Sequence, residues 1–286
     1  MSTSFYIIDG HSQIHRAHHA PMTALTSPTG EPTKAIYLFF KILFNLINTH
    51  QPDLLAVAMD SRRDRLVRRA LYPQYKANRE ATEGDVSDLV GQIKRVHAIL
   101  RAMRVVTLSQ EGSEADDIIA TLVDACADLD VDITIVSRDK DLHQLLGPRV
   151  RMYDPMEAEY FSASDAEDKW GVAVEKLSAL FALCGDSSDN IPGVPGIGPK
   201  RAAGLVKRYG SLAAIKEAVL DGELSPHACA GFEKVDVDLN HQLVSLARNV
   251  QIPAFDIDAL DVKNISVKSA GPIFRDLGFR RWSEWS

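Results

Sequence analysis

The chain has 286 residues, 45% hydrophobic and 25% charged, a globular composition that excludes the disordered and fibrous classes and predicts a main domain with an appendage. Its 32 basic and 39 acidic side chains leave a formal charge of −7, so it does not coat nucleic acid by bulk charge and any such contact must be local. Cys126, Cys184 and Cys229 form no CxxC pair, and neither a secretory h-region nor a run of about 18 apolar residues occurs. This predicts no disulfide framework, no zinc knuckle, no membrane contact and a place in the reducing cytoplasm.

In chain order, Phe5-Tyr6-Ile7-Ile8 is an apolar run stopped by Asp9-Gly10, the pattern of a buried strand ending at a turn. Ile36, Phe39, Phe40, Leu43 and Ile47 then keep one helical face. Leu54 to Met59 repeats the strand pattern and ends in Asp60, and Leu89, Ile93, Val96, Leu100 and Met103 mark another amphipathic helix. Ser113-Glu114-Ala115-Asp116-Asp117 reads as a helix start with Ser113 at the N-cap. Val131 to Val136 is a third strand, followed by Asp139-Lys140-Asp141 heading a helix through Leu142, Leu145 and Leu146. Strands alternating with helices predict an α/β fold with a mainly parallel sheet flanked by helices. From about residue 185 the strand signal fades, giving an expected division into 1–184 and a helical 185–286, with an insertion over about 61–86.

Ligands of parallel sheets lie beyond the carboxyl ends of the strands, where Asp9, Asp60 and Asp139 emerge. Glu114, Asp116 and Asp117 head one helix, Asp141 follows Asp139, and Asp186 and Asp189 share a face if their segment is helical. Nine converging acids cannot all stay ionised without cations. Oxygen-only ligands favour Mg2+ or Mn2+ over zinc, and their number suits two ions, a device for phosphodiester hydrolysis. His11, beside Asp9-Gly10, is read as a turn neighbour rather than a ligand.

Between Arg62 and Arg79 seven cations (Arg62, Arg63, Arg65, Arg68, Arg69, Lys76, Arg79) face the single acid Asp64, with Tyr72 and Tyr75 interleaved. This reads as a phosphate-binding patch in which Lys76 and Arg79 neutralise a reacting phosphate. The run from Gly193 to Lys200 lacks the Gly-Lys-Ser/Thr ending of a nucleotide-binding loop. It reads instead as a helix-hairpin-helix over about 187–209, in which Gly193, Gly196 and Gly198 allow the turn and backbone amides, with Lys200 and Arg201, hold a DNA phosphate.

The segments IIDGHSQIHRAHHA, AVAMDSRRDRLVRRALYPQYKANR, EADDIIATL, SRDKDLHQLL and GDSSDNIPGVPGIGPKRAAGL together resemble the 5′ nucleases related to flap endonucleases, in particular the 5′-nuclease domain at the N-terminus of bacterial DNA polymerase I. The resemblance, which reaches to GPIFRDLGFRRW near the C-terminus, implies a PIN-like fold with a helical arch and a helix-three-turn-helix DNA-binding region. It implies a monomeric nucleoid enzyme of replication and repair that cleaves DNA at 5′ ends and flap junctions, leaving a 5′-phosphate. By position, Asp9, Asp60, Glu114, Asp116 and Asp117 resemble the tighter metal site and Asp139, Asp141, Asp186 and Asp189 the second. Asp116, Lys76 and Arg79 match catalytic positions, while Arg16 and Tyr75 lie near the DNA path. The hairpin resembles one that also takes K+ on backbone carbonyls.

His15 stands where the family commonly has Tyr, and Val67 and Arg69 where it has Phe and His, departures that touch substrate preference rather than chemistry. Two other readings share parts of this pattern. A non-catalytic DNA-structure-binding module needs only the hairpin and the basic insertion, and a PIN-like ribonuclease needs only the acids.

Overall fold

A computed structural model describes residues 2–78, 83–252 and 256–283. Strand β1 (Thr3–Asp9) leads directly into helix α1 (Gly10–His19), then α2 (Lys34–His50) and β2 (Leu54–Ala58). Next come α3 (Val67–Leu71), α4 (Glu83–Ala102), β3 (Thr107–Leu108), α5 (Ala115–Ala125), β4 (Val131–Val136), β5 (Val150–Asp154) and β6 (Glu159–Phe161). The remainder is helical: α6 (Ala163–Trp170), α7 (Leu177–Cys184), α8 (Pro199–Tyr209), α9 (Leu212–Leu220), α10 (Pro226–Phe232), α11 (Val237–Val244), α12 (Gly271–Asp276) and α13 (Arg280–Ser283).

The strands form one sheet in the order β3-β2-β1-β4-β5-β6, parallel except for β6. Period-two alternation sorts its side chains: Phe5, Ile7, Ala56 and Ile133 join the core under α5 and α7, while Tyr6, Ile8, Leu55 and Val57 join the core under α1, α2 and α4. Both faces are covered, as a parallel sheet requires. β1 pairs with β2 on one side and β4 on the other, so the chain order reverses across β1. That reversal opens a crevice beyond the carboxyl ends of these three strands, the expected ligand position.

Three local expectations differ. The segment after Asp139 is a 3₁₀ helix, Lys140–Leu145, rather than an α-helix, because Asp139 caps the Asp141 amide at 3.0 Å and tightens the turn. Helix α5 begins one residue later than read, with Glu114 at the N-cap in place of Ser113. Asp186 and Asp189 lie on a turn rather than a helix. Asp186 and Ile191 exchange backbone bonds of 2.8 and 2.7 Å, and Asn190 takes φ 58° to close the loop. Of the expected arch, residues 61–78 are described as a 3₁₀ turn, α3 and a coil, whereas residues 79–82 lie outside the described residues.

The hairpin connecting α7 to α8 depends on close backbone contact. A Cβ on Gly193 would lie 1.9 Å from the Cys184 carbonyl oxygen, and Gly185 sits at φ 67° with Gly193 N in its path. Gly193→Ala is therefore expected to destabilise the fold by about 3 kcal/mol or more, read as a lower urea midpoint. An unchanged midpoint would show that the hairpin yields without cost.

Candidate metal centre and nucleic-acid interface

Asp9 ends β1 and caps α1: Oδ1 accepts the Ser12 amide at 3.2 Å and Oδ2 accepts the Ser137 hydroxyl at 2.8 Å. Ser137 Oγ in turn accepts the Asp139 amide at 3.1 Å, linking the β1 and β4 ends. Asp60 Oδ1 accepts the Ala115 amide at 2.7 Å, holding the start of α5 against the end of β2. The Asp60 amide donates to His11 Nδ1 at 3.2 Å, so His11 is a buttress of the Asp60 turn with its proton on Nε2. Asp116 projects from the first turn of α5, half-buried among Asp9, Asp139 and Glu114. On the other side, Asp141, Asp186 and Asp189 bring one carboxylate oxygen each to within 4.8 Å of one another.

The acids divide by whether a cation holds them. Burial raises the pKa of Glu114, but Lys76 and Arg68 outweigh it and keep the carboxyl below its usual range. Burial likewise raises Asp186, while a Ser188 hydrogen bond and Lys140 bring it down. Among the described residues Asp9, Asp116 and Asp141 are in no ion pair. Burial first, then repulsion from Asp60, pushes Asp9 up to about 7. Burial, then Asp139 and Asp186, pushes Asp141 up to about 8. Asp116 is raised by burial and by Asp139, Asp9 and Glu114. Three carboxylates that resist ionisation alone are suited to a divalent ion, which would supply the missing charge.

A pH dependence follows for the metal-free protein. Asp9 and Asp141 hold their protons more tightly folded than unfolded, so their contribution to stability is complete below about pH 4. It is lost progressively up to about pH 7 for the first and about pH 8 for the second. Melting temperature in EDTA is therefore expected to fall by several degrees between about pH 5 and 8.5 beyond the fall seen in saturating Mg2+. Parallel curves with and without Mg2+ would contradict the arrangement.

The basic insertion, read as a phosphate patch, is largely ion-paired, on the surface at Arg62 and Arg65 and inward at Arg68 and Lys76. Arg62 meets Asp64, Arg65 meets Glu111, and Lys76 bonds Glu114 and lies 3.5 Å from Asp189. Arg68 uses all five N–H groups: on Glu114 Oε2 at 2.8 Å, on both oxygens of Asp117 at 2.6 and 2.7 Å, and on the Leu243 and Ser245 carbonyls at 2.9 Å. Tyr75 is buried rather than placed for stacking. Its hydroxyl lies 2.9 Å from Glu114 Oε2 and 3.0 Å from Asp189 Oδ2, bridging the two acid groups. Lys76, at φ 53°, donates its amide to the Asp189 carbonyl at 2.9 Å, and Asn78 and Asn190 side chains tie the same two segments together. Arg79 lies outside the described residues.

Asp117 has partners of a different kind. Besides Arg68, its oxygens accept the Ala247 amide at 2.9 Å and the Glu114 amide at 3.2 Å, so its lone pairs are spent on holding α5 to the insertion and to the segment after α11. Arg16 forms a bidentate pair with Asp154 at 3.0 and 3.2 Å, and Arg138 approaches the same carboxylate at 3.6 Å. In the hairpin, Gly196 takes φ 80°, Gly198 caps α8 ahead of Pro199, and Arg201 donates to the Gly196 carbonyl at 2.7 Å. Lys200 is exposed at the same helix start. Sequence reasoning missed Arg68 as a hub, Ser137, and Asn240, whose amide donates to the Ala182 and Pro192 carbonyls and braces the hairpin from α11. Arg68 was visible only as one cation in a basic run.

Comparison with known proteins places this architecture. A family model described as 5′-3′ exonuclease, N-terminal resolvase-like domain, matches residues 4–171, and one described as 5′-3′ exonuclease, C-terminal SAM fold, matches residues 172–268. The chain belongs to the 5′-3′ exonuclease family. A 5′-3′ exonuclease of Aquifex aeolicus is 33% identical over 255 residues, covering 89% of this chain and 86% of that protein. DNA polymerase I of Rhizobium leguminosarum is 38% identical over 263 residues, covering 89% of this chain and 25% of the polymerase. The chain thus spans about a quarter of the length of that relative. The T5 D15 flap endonuclease, solved as a pseudo-enzyme-product complex with DNA and metal ions, superposes with a TM-score of 0.70 at 20% identity over 98% of this chain and 97% of that one. At that identity the likeness fixes the fold. The strand-end acids of this family member are suited to divalent ions. No helix among the described residues is long and apolar enough to cross a membrane.

Proposed function

We propose that this 5′-3′ exonuclease relative hydrolyses DNA phosphodiesters at 5′ ends and flap junctions with two divalent ions, Mg2+ or Mn2+. The observation that carries the reading is the pair of adjoining carboxylate groups beyond the strand ends. Asp9, Asp60, Asp116 and Asp139, with Glu114, would hold one ion, and Asp141, Asp186 and Asp189 the other. The ions would supply an activated water and neutralise the leaving oxygen. Tyr75 keeps Glu114 and Asp189 in register, and Ser137 orients Asp9. Lys76 exchanges its acid partners for the scissile phosphate, with Arg79 beside it.

Residues 1–184 act as the catalytic unit, and 185–286 grip the duplex through the amides of the Gly193–Gly198 hairpin, Lys200 and Arg201, where backbone carbonyls of the hairpin offer a K+ position. Arg16, steadied by Asp154, faces the DNA path. The chain acts as a monomer in the nucleoid-bearing cytoplasm.

The test is a substrate panel in Mg2+: a 5′-flap duplex, single-stranded DNA and single-stranded RNA of the same length, each labelled at the 5′ end. Incision near the flap junction, exceeding that of either single strand, is expected. Cleavage confined to RNA would establish the ribonuclease, and tight flap binding with no product would establish the binding module.

A further inference from the structure

Lys140 sits between two of the acids, Asp139 and Asp141, on the 3₁₀ turn after β4, yet it has no part in the chemistry described above. Its ammonium lies 2.9 Å from Asp186 Oδ2 and 5.9 Å from the centroid of the Phe181 ring. Asp186 is one of three acids whose oxygens come within 4.8 Å of one another. Its side chain is 6% exposed, whereas that of Lys140 is 36% exposed, so the lysine reaches a buried carboxylate from the solvent side. Lys76 stands 3.5 Å from Asp189 on another side of the same group. Two of the three acids, Asp186 and Asp189, therefore face tethered ammonium groups before any ion arrives.

Asp186 Oδ1 already accepts the Ser188 amide at 2.8 Å and the Ser188 hydroxyl at 2.6 Å, so a divalent ion bonded to Asp141, Asp186 and Asp189 draws on Oδ2, the oxygen that Lys140 holds, and a cation cannot share that close approach with an ammonium without strong repulsion. We propose that Lys140 is a positioning residue for this site: a tethered counter-cation that competes with the incoming ion for Asp186 and, once displaced, is presented to nucleic-acid phosphate. The inference rests on the reading that these acids hold a divalent ion. The exchange is one of ion pairs only: the Lys140–Asp186 contact breaks, the metal–carboxylate contact forms, and the ammonium keeps its proton. Displacement needs no backbone change, because the Lys140 side chain, 36% exposed, already reaches Asp186 from the solvent side. Metal at this site then favours DNA, and DNA favours metal, by the same factor.

The experiment titrates Mn2+ alone into the full chain and reads free Mn2+ by electron paramagnetic resonance, for the wild type, Lys140→Met and Lys140→Arg. Lys140→Met is expected to tighten Mn2+ binding roughly tenfold by removing the competing charge, while Lys140→Arg stays within about threefold of wild type. A lysine serving only to stabilise the fold would loosen binding on removal, so equal or weaker Mn2+ affinity in Lys140→Met overturns the proposal. In parallel, fluorescence anisotropy measures flap-duplex affinity with and without Ca2+, a divalent probe of binding. The gain given by Ca2+ is expected to shrink in Lys140→Met, and an undiminished gain overturns the transfer of the ammonium to phosphate. Failure of the underlying reading looks different: wild-type protein that binds no Mn2+, or binds it equally after Asp186→Asn, removes the metal site itself.

Discussion

Asp116→Asn is expected to reduce incision by on the order of a thousandfold or more while leaving flap-duplex affinity within about threefold, and to raise the melting temperature of the metal-free protein. The two effects have one cause. Asp116 projects into the acid group and is in no ion pair among the described residues, and burial together with Asp139, Asp9 and Glu114 raises its pKa against the pull of Lys76. An uncharged amide of the same shape relieves that repulsion, so the apo fold gains, as often happens when a residue kept for activity is removed. The same change deletes a hard oxygen ligand, so the stabilisation conferred by Mg2+, which depends on binding to the folded state alone, becomes smaller. Thermal melts in EDTA and in Mg2+ read one half and single-turnover incision reads the other. A variant less stable than wild type in EDTA, or fully active in Mg2+, would contradict the placement of Asp116.

Arg68→Met is expected to cost about 3–5 kcal/mol of stability, more than a typical surface change. The Arg68 side chain is 11% exposed and those of Glu114 and Asp117 are 6% and 4%. Removing the guanidinium leaves two buried carboxylates facing each other and orphans the Leu243 and Ser245 carbonyls. Lysine at this position keeps the charge but cannot match a five-donor planar fork, so Arg68→Lys should fall between the two. Because the same guanidinium links the insertion, the start of α5 and the segment after α11, the loss should also weaken Mg2+-dependent incision when measured well below the melting temperature. Urea unfolding of the two variants checks the order, and a destabilisation below about 1 kcal/mol for Arg68→Met would contradict the role of this hub.

The strand ends were legible because a parallel strand buried on both faces leaves a short apolar run, and Asp9, Asp60 and Asp139 close those runs. The alternation of strands with amphipathic helices then placed the three acids at one edge of the sheet. Loop geometry was less legible. Asp186 and Asp189 were grouped through helical spacing, whereas a turn closed by Asp186 and Ile191 brings them together. The partners of the basic insertion could not be read at all. Arg68 meets Asp117 and Ser245, distant in sequence, and no local pattern announces a cation that folds inward rather than outward. The same holds for Arg16, paired with Asp154, and for Asp117, whose place in an acidic first turn resembles that of Asp116 although the two point to different surroundings. Position along a helix gives the residue type, and only packing separates Asp116 from the latched Asp117.

Divalent ions at the strand-end acids are expected to drive phosphodiester hydrolysis. The most direct measurement is the single-turnover rate of incision of a 5′-flap duplex as Mg2+ is titrated from an EDTA-treated sample, with the melting temperature of the protein followed over the same titration. Incision absent in EDTA and rising with Mg2+ over the range that raises the melting temperature is the predicted result. Incision at the same rate in EDTA, or a melting temperature indifferent to Mg2+ and Mn2+, would contradict it.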